Sequence, residues 1–332
     1  MLDPLECHSL PSLQALVFMI LFLQSSEKMS TCYTYIGTAL AASLQMGLHR
    51  CDSSRVLDPI ERETRKRIFW TIRNMETYVV AILGLPISIS DADIDQEEPL
   101  EVDDEYITRE GVLPMPEEQV SQITAFNAHT RLIRILAKVV RKVYPMRQGN
   151  KDGTAKPGTY VVSDATIRSI ETDLKAWETQ LPEQFQAGAH VSPKFSRTRH
   201  LLRMALTHVR MVLYRPFLHY ASGSKAESLI NERCRIYAFA CVDVGRSIIR
   251  NAREMETLST FNGPYWFCIY TMFFATISLT FYAWENAGFQ DVLKVLKDAE
   301  SGRDMLARLS YRSMAATKCS KTLEVSQTYL AS

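Results

Sequence analysis

DPIERETRKRIFWTIRNMETYVVAILGLP, running from Asp58 to Pro86, decides the fold. Asp58 can cap a helix. Pro59 suits the first helical position, where a backbone N–H would have no partner anyway, and Glu61 stands three residues after the cap. Behind that start, Ile68, Ile72, Met75, Val79 and Ile82 recur at steps of three and four, which places them along one face of a helix. Glu61 stands four residues before Arg65, and Glu63 four before Arg67, the favourable order for pairs worth roughly a few tenths of a kcal/mol each. Gly84 and Pro86 end the segment.

The rest of the chain follows the same pattern. Upstream, helices are expected over about Ser12–Gln24 and Cys32–Met46. The small residues Gly37, Ala39, Ala41 and Ala42 favour close packing, and Gly47 sits where a left-handed residue ends a helix. Downstream lies an acidic, irregular stretch from Ser88 to Glu105. Helix resumes near Glu117 and runs to Tyr144, before Pro145. A surface loop is expected near 147–159, then helices over about Ser163–Gln180, Arg197–Tyr214, Ala226–Asn251, the aromatic run after Pro264, and a last amphipathic segment from Asp291 to about Ser326. Strand-like alternation is scarce. The fold class is therefore all-α, a bundle-like stack of helices with no significant sheet, with residues 1–332 forming a single domain around one core.

Composition narrows the function. The chain has 332 residues, of which 46% are apolar and 23% charged, with net charge +1. That balance supports a large core but offers no bulk attraction to nucleic acid. Seven cysteines are scattered without a Cys-x-x-Cys pair, so neither a zinc site nor a disulfide framework is indicated; they read as small buried hydrophobes. Leu13–Leu23 is too short to span a membrane. Tyr265–Trp284 is long enough, but its tyrosines, threonines and serine favour a buried central helix, and no membrane is expected as a partner.

No arrangement points to catalysis. Asp91, Asp93 and Asp95 alternate like the start of a calcium loop, but Gln96 and Val102 stand where such a loop needs Gly and Glu; a solvated acidic turn is expected. Asp103-Asp104-Glu105 has Ile107 where a magnesium-binding aspartate motif needs its last carboxylate. His200 and His208 share a helical face, with no carboxylate between them to complete a metal site. No nucleophile elbow or phosphate-cradling loop occurs. Arg62, Arg65, Lys66 and Arg67 form the densest basic cluster, and the interspersed Glu61 and Glu63 indicate a solvated, ion-paired face.

Three pieces stand in order: Gly47-Leu48-His49-Arg50 after a small-residue helix; Arg67-Ile68-Phe69-Trp70; and Gly84-Leu85-Pro86 followed by Asp91 to Asp95. Farther on stands Leu213-Tyr214-Arg215-Pro216-Phe217. This order resembles the central regulatory region of fungal transcription factors that carry a binuclear zinc-cluster (Zn2Cys6) DNA-binding domain. Glu76-Thr77 departs from the Asp-Arg of many members.

The resemblance implies a nuclear, non-enzymatic regulator of RNA polymerase II transcription. Its residues Gly47, Leu48, His49, Arg67, Trp70, Gly84, Pro86, Asp91, Arg215, Pro216 and Phe217 pack or end helices, and Arg215 bridges a carboxylate or carbonyls at a helix end. No cofactor is expected in this chain. Zinc and DNA contact belong, by resemblance, to an N-terminal module of six cysteines that is missing from this sequence. The implied partners are transcriptional coregulators, a small-molecule effector and a second copy of the chain. A DNA-binding-free interaction protein that competes with full-length relatives is the alternative, and a helical enzyme a more distant one.

Overall fold

A computed structural model describes residues 9–26, 28–51, 57–116, 119–144, 162–186, 193–221, 229–260, 265–286 and 292–331. It is all-helical: ten α-helices and no strand, with the single bridge Ile107–Val112 as the only β-type pairing among the described residues. The expected loop at 147–159 lies outside these residues. Two compact units form, one from Met1–Gln24 with Lys28–Leu181 and the other from Ser25–Glu27 with Pro182–Ser332.

In the first unit, α1 (Leu10–Ser25) buries Leu13, Leu16 and Ile20, and α2 (Met29–Gln45) buries Cys32, Ile36, Ala39 and Leu40. Helix α3 (Pro59–Leu83) packs between α2 and α4 (Gln122–Val143), which in turn packs on α5 (Asp164–Gln180). Asp58 caps α3 by accepting from the Glu61 N–H at 2.8 Å. A cap of this kind is worth about 1 kcal/mol. Ser121 starts α4 by accepting from Ile123 N–H at 3.1 Å, and residues 119–121 ahead of it are not helical; Glu117, where the sequence places the start, lies outside the described residues. Its carboxamide-rich lead-in, Gln119 to Gln122, is instead drawn into contacts with Asp103.

The two glycines that punctuate this unit share one physics. Gly47 has φ +71° and Gly84 φ +69°, in the left-handed region that costs a residue bearing a Cβ about 1–2 kcal/mol. Each ends its helix in a turn that reuses the last carbonyls. Leu48 donates back to Ser43 at 2.9 Å, and Leu85 to Val80 at 3.0 Å.

The second unit holds α6 (Pro193–Tyr214), a 3-10 turn over Arg215–Ala221, α7 (Leu229–Thr257), α8 (Trp266–Glu285), α9 (Val292–Leu309) and α10 (Met314–Ala331). Helix α8 is long and apolar enough to cross a membrane, but 61% of its apolar window is buried, by neighbours that include α7 and α9. Neighbouring helices cover most of that window. The last amphipathic segment is two helices rather than one. The chain turns at Ser310 and Tyr311, and the Ser313 hydroxyl accepts from Ala316 N–H at 3.3 Å to restart it. Gly302 of α9 sits in tight packing: a Cβ there would meet Thr276 Oγ1 of α8 and lie 2.7 Å from Ile249 Cδ1 of α7.

Candidate functional site

Helix α3 is unusual in what it buries. Glu63, Arg65, Lys66, Arg73, Asn74, Glu76 and Thr77 are all less than one-tenth exposed, alongside Phe69 and Trp70. Charged groups are rarely buried without partners, because desolvation costs several kcal/mol per ion. Most of their partners outside α3 come from the irregular segment 84–104, which runs back along α3 as a strap.

Apart from a 3-10 turn over Asp91–Asp93, the strap's backbone finds its partners on the helices. Glu76 Oε1 accepts from Ser88 N–H at 2.7 Å, and Glu63 Oε2 accepts from Leu100 N–H at 2.8 Å. Trp70 Nε1 donates to the Glu97 carbonyl at 2.9 Å, and Asn127 of α4 donates to the Pro99 carbonyl at 2.8 Å. Arg73 donates to Glu76 at 3.0 Å, Thr77 at 2.8 Å, the Ile89 carbonyl at 3.3 Å and Asp91 at 3.2 Å. Side chains of two helices thus stand in for the neighbouring strand that an extended segment would otherwise need.

Charge follows the same plan. Lys66 meets Glu97 at 2.9 Å and Glu63 at 3.2 Å, Arg67 meets Asp104, Arg131 meets Glu98 at 2.6 Å and Arg141 meets Asp91 at 3.6 Å. Burial by itself would lower the Lys66 pKa, but the hydrogen bond with Glu97 and the charge of Glu63 outweigh it and leave the ammonium above its usual value. The hydrogen bond from Lys66 likewise holds Glu97 below the usual carboxylate range. Arg134 lies over the Trp70 ring, 5.8 Å from its centroid.

These contacts correct one expectation and qualify two others. The basic cluster is ion-paired as expected, Arg65 with Glu61 and Lys66 with Glu63, but only Arg62 is exposed; Arg65 and Lys66 are 8% and 4% exposed. Glu63 turns to Lys66 and the strap, and Arg67 to Asp104, in place of the expected Glu63–Arg67 pair. The acidic turn is solvated at Asp93 and Asp95, which are exposed, but anchored at its start: Asp91 holds two arginines, and Asp95 accepts from Cys51 N–H at 3.0 Å.

The Gly47–Arg50 turn docks on the same strap. The His49 carbonyl accepts from the N–H groups of Asp95 and Gln96, at 3.2 and 3.1 Å. The Gln96 side chain donates to the carbonyls of Leu48 and Arg50 at 2.8 and 3.0 Å, and Arg65 donates to the Met46 carbonyl at 2.8 Å. Gly47, Leu48, His49, Arg67, Trp70, Gly84, Pro86 and Asp91 therefore belong to one assembly of turn, helix and strap.

Arg215, Pro216 and Phe217 stand apart from them, in the 3-10 turn of the second unit. Arg215 places its guanidinium over Phe274, 5.1 Å from the centroid, and Phe217 packs on Tyr237 at 5.2 Å. Arg73, Asn127 and Arg141 were not singled out from sequence, and Glu63, Lys66, Glu76 and Gln96 were read there without this role. Only a hint was there: charges fall on the α3 faces that flank its apolar stripe.

The second unit buries His200 and His208. His200 Nδ1 lies 2.9 Å from Asn251 Oδ1, and His208 Nδ1 lies 3.3 Å from Thr271 Oγ1. Burial, with the Arg215 charge second, drives the His208 pKa down to about 3. Both are core histidines rather than a pair on an accessible face. Among the described residues no three His, Cys, Asp or Glu side chains are grouped to hold a metal ion. The free cysteines Cys32, Cys241, Cys268 and Cys319 are buried, and burial lifts the first three to about 12, far from the thiolate that zinc requires.

The family described as the fungal specific transcription factor domain matches residues 5–179. The chain is 36% identical over 326 residues to Activator of stress genes 1 of Saccharomyces cerevisiae, covering 96% of this chain and 33% of that protein. It is 32% identical to Activator of stress genes protein 1 of Candida albicans, covering 96% of this chain and 36% of the relative. It is 26% identical to Transcriptional activator protein acu-15 of Neurospora crassa, covering 88% and 30%. The chain thus spans about a third of the length of the curated relatives it matches. No solved structure matches it.

Proposed function

We propose, from the premise that this chain belongs to the fungal specific transcription factor domain family, that it is the regulatory body of a zinc-cluster transcription factor and acts by contact with coregulators or a small effector. Members of the family are transcription-factor domains, not enzymes. The observation that carries the reading is the use to which the buried charges are put. Glu63, Lys66, Arg73 and Glu76 are spent on holding a strap and its turn, and the motif residues of the first unit join them there. Groups committed in this way position a surface; they do not converge on a reacting atom.

Both units enter the proposal as one regulatory domain. The likeness to the Saccharomyces and Candida relatives extends over 96% of the chain, well past residue 179, which supports a role for the second unit as well. Zinc and DNA contact would reside in a six-cysteine module outside this sequence, which has seven scattered cysteines and no Cys-x-x-Cys pair. Action in the nucleus on RNA polymerase II transcription, with self-association as a further property, completes the reading.

The test is a transcription reporter in yeast. The chain is fused to an unrelated DNA-binding domain and compared with that domain alone at equal abundance. The expected outcome is a changed reporter output, reversed when Trp70→Ala undoes the strap. Identical output from the fusion and the bare DNA-binding domain, with the fusion folded, overturns the proposal.

A further inference from the structure

Ser90 sits between two residues gripped by the same arginine. Arg141 donates to the Ile89 carbonyl at 2.8 Å, and its other terminal nitrogen lies 3.6 Å from Asp91 Oδ2. Arg73 approaches the same two residues from α3, at 3.3 and 3.2 Å. Ile89 is buried and anchors the strap, whereas Ser90 is exposed. Its hydroxyl accepts only a long bond from Ala92 N–H, 3.4 Å. Acids follow it at the first, third and fifth positions: Asp91, Asp93 and Asp95. Asp93 is exposed and joins no ion pair among the described residues, so its carboxylate is open to an enzyme's basic groove.

We propose that Ser90 is a phosphorylation site of the folded chain for an acid-directed serine kinase. The Ser90 hydroxyl oxygen bonds to the γ-phosphorus of ATP, the bond from that phosphorus to the bridging oxygen breaks, ADP leaves, and the hydroxyl proton passes to the kinase base. Ser88 lies in the same stretch but is the poorer acceptor. Its N–H is fixed to Glu76, and the acid three residues on, Asp91, is already held by two arginines. A phosphate on Ser90 adds close to two negative charges and strong acceptor oxygens. Arg141, about a third exposed, transfers to it, while Asp91 keeps the buried Arg73. The modification therefore tightens the strap against α4. It is independent of the regulatory role proposed above.

The experiment treats the whole folded chain with a purified acid-directed serine kinase and ATP, and maps the product by mass spectrometry. The expected result is a phosphate on Ser90 that is lost in Ser90→Ala and forms several-fold more slowly in Asp93→Asn. Equal labelling of Ser90→Ala and the parent chain overturns the site. So does labelling of a synthetic peptide of residues 85–98 while the folded chain stays unlabelled. Phosphorylation is expected to raise the thermal midpoint of the parent chain and not of Arg141→Ala; an equal rise in both overturns the transfer of Arg141.

Discussion

Trp70 shows how one side chain can serve two purposes. Its ring is 4% exposed and meets Phe69 edge-on at 5.3 Å, while its N–H satisfies the Glu97 carbonyl. Trp70→Ala removes both and is expected to cost about 3–5 kcal/mol in urea unfolding. Trp70→Phe keeps most of the apolar burial but loses the donor, so it should cost about 1–3 kcal/mol, the penalty of one orphaned carbonyl. Gly302 makes the opposite point, that a missing atom can be the requirement. Gly302→Ala inserts a methyl group where Thr276 and Ile249 already stand, and the expected loss is about 1–3 kcal/mol, read as a lower thermal midpoint. An alanine is a better helix former than glycine, so a gain in stability would contradict the close packing described here.

At the scale of elements, the strap has no ladder of its own and borrows its hydrogen bonds from α3, α4 and the Gly47 turn. Its stability is therefore local. Gln96→Ala deletes the donors to the Leu48 and Arg50 carbonyls, both at a partly exposed site. It is expected to cost about 1 kcal/mol overall. It should also speed amide hydrogen exchange selectively at Asp95 and Gln96, whose N–H groups point at the His49 carbonyl. Uniform acceleration along α3 instead would mean that turn and strap do not form a separable unit.

Over the whole molecule, acid sensitivity is written into the second unit. The folded pKa of His208 is about 3, against about 6.5 for an unperturbed histidine. Between those values the unfolded chain binds a proton that the folded chain refuses, so stability falls as pH drops through that window and is fully present above it. From pH 6.5 to pH 5 the expected loss from this residue is about 2 kcal/mol. Urea unfolding of the parent chain and of His208→Gln at both pH values checks it, the variant showing the shallower dependence.

Asp58, Pro59, Gly47 and Gly84 announced their helix ends in the sequence, because caps and left-handed turns depend on residues within a few positions. The apolar stripe of α3 announced an all-helical fold for the same local reason. The fates of Lys66, Arg67, Arg73 and Glu76 were not legible. Each has neighbours of opposite charge within one turn, yet its decisive partner lies 12 to 37 residues away on the strap. Sequence periodicity carries information over one or two helical turns, so it fixed the helices. Which charges could be taken out of water depended on where a distant, irregular segment came to lie, and only tertiary structure decides that.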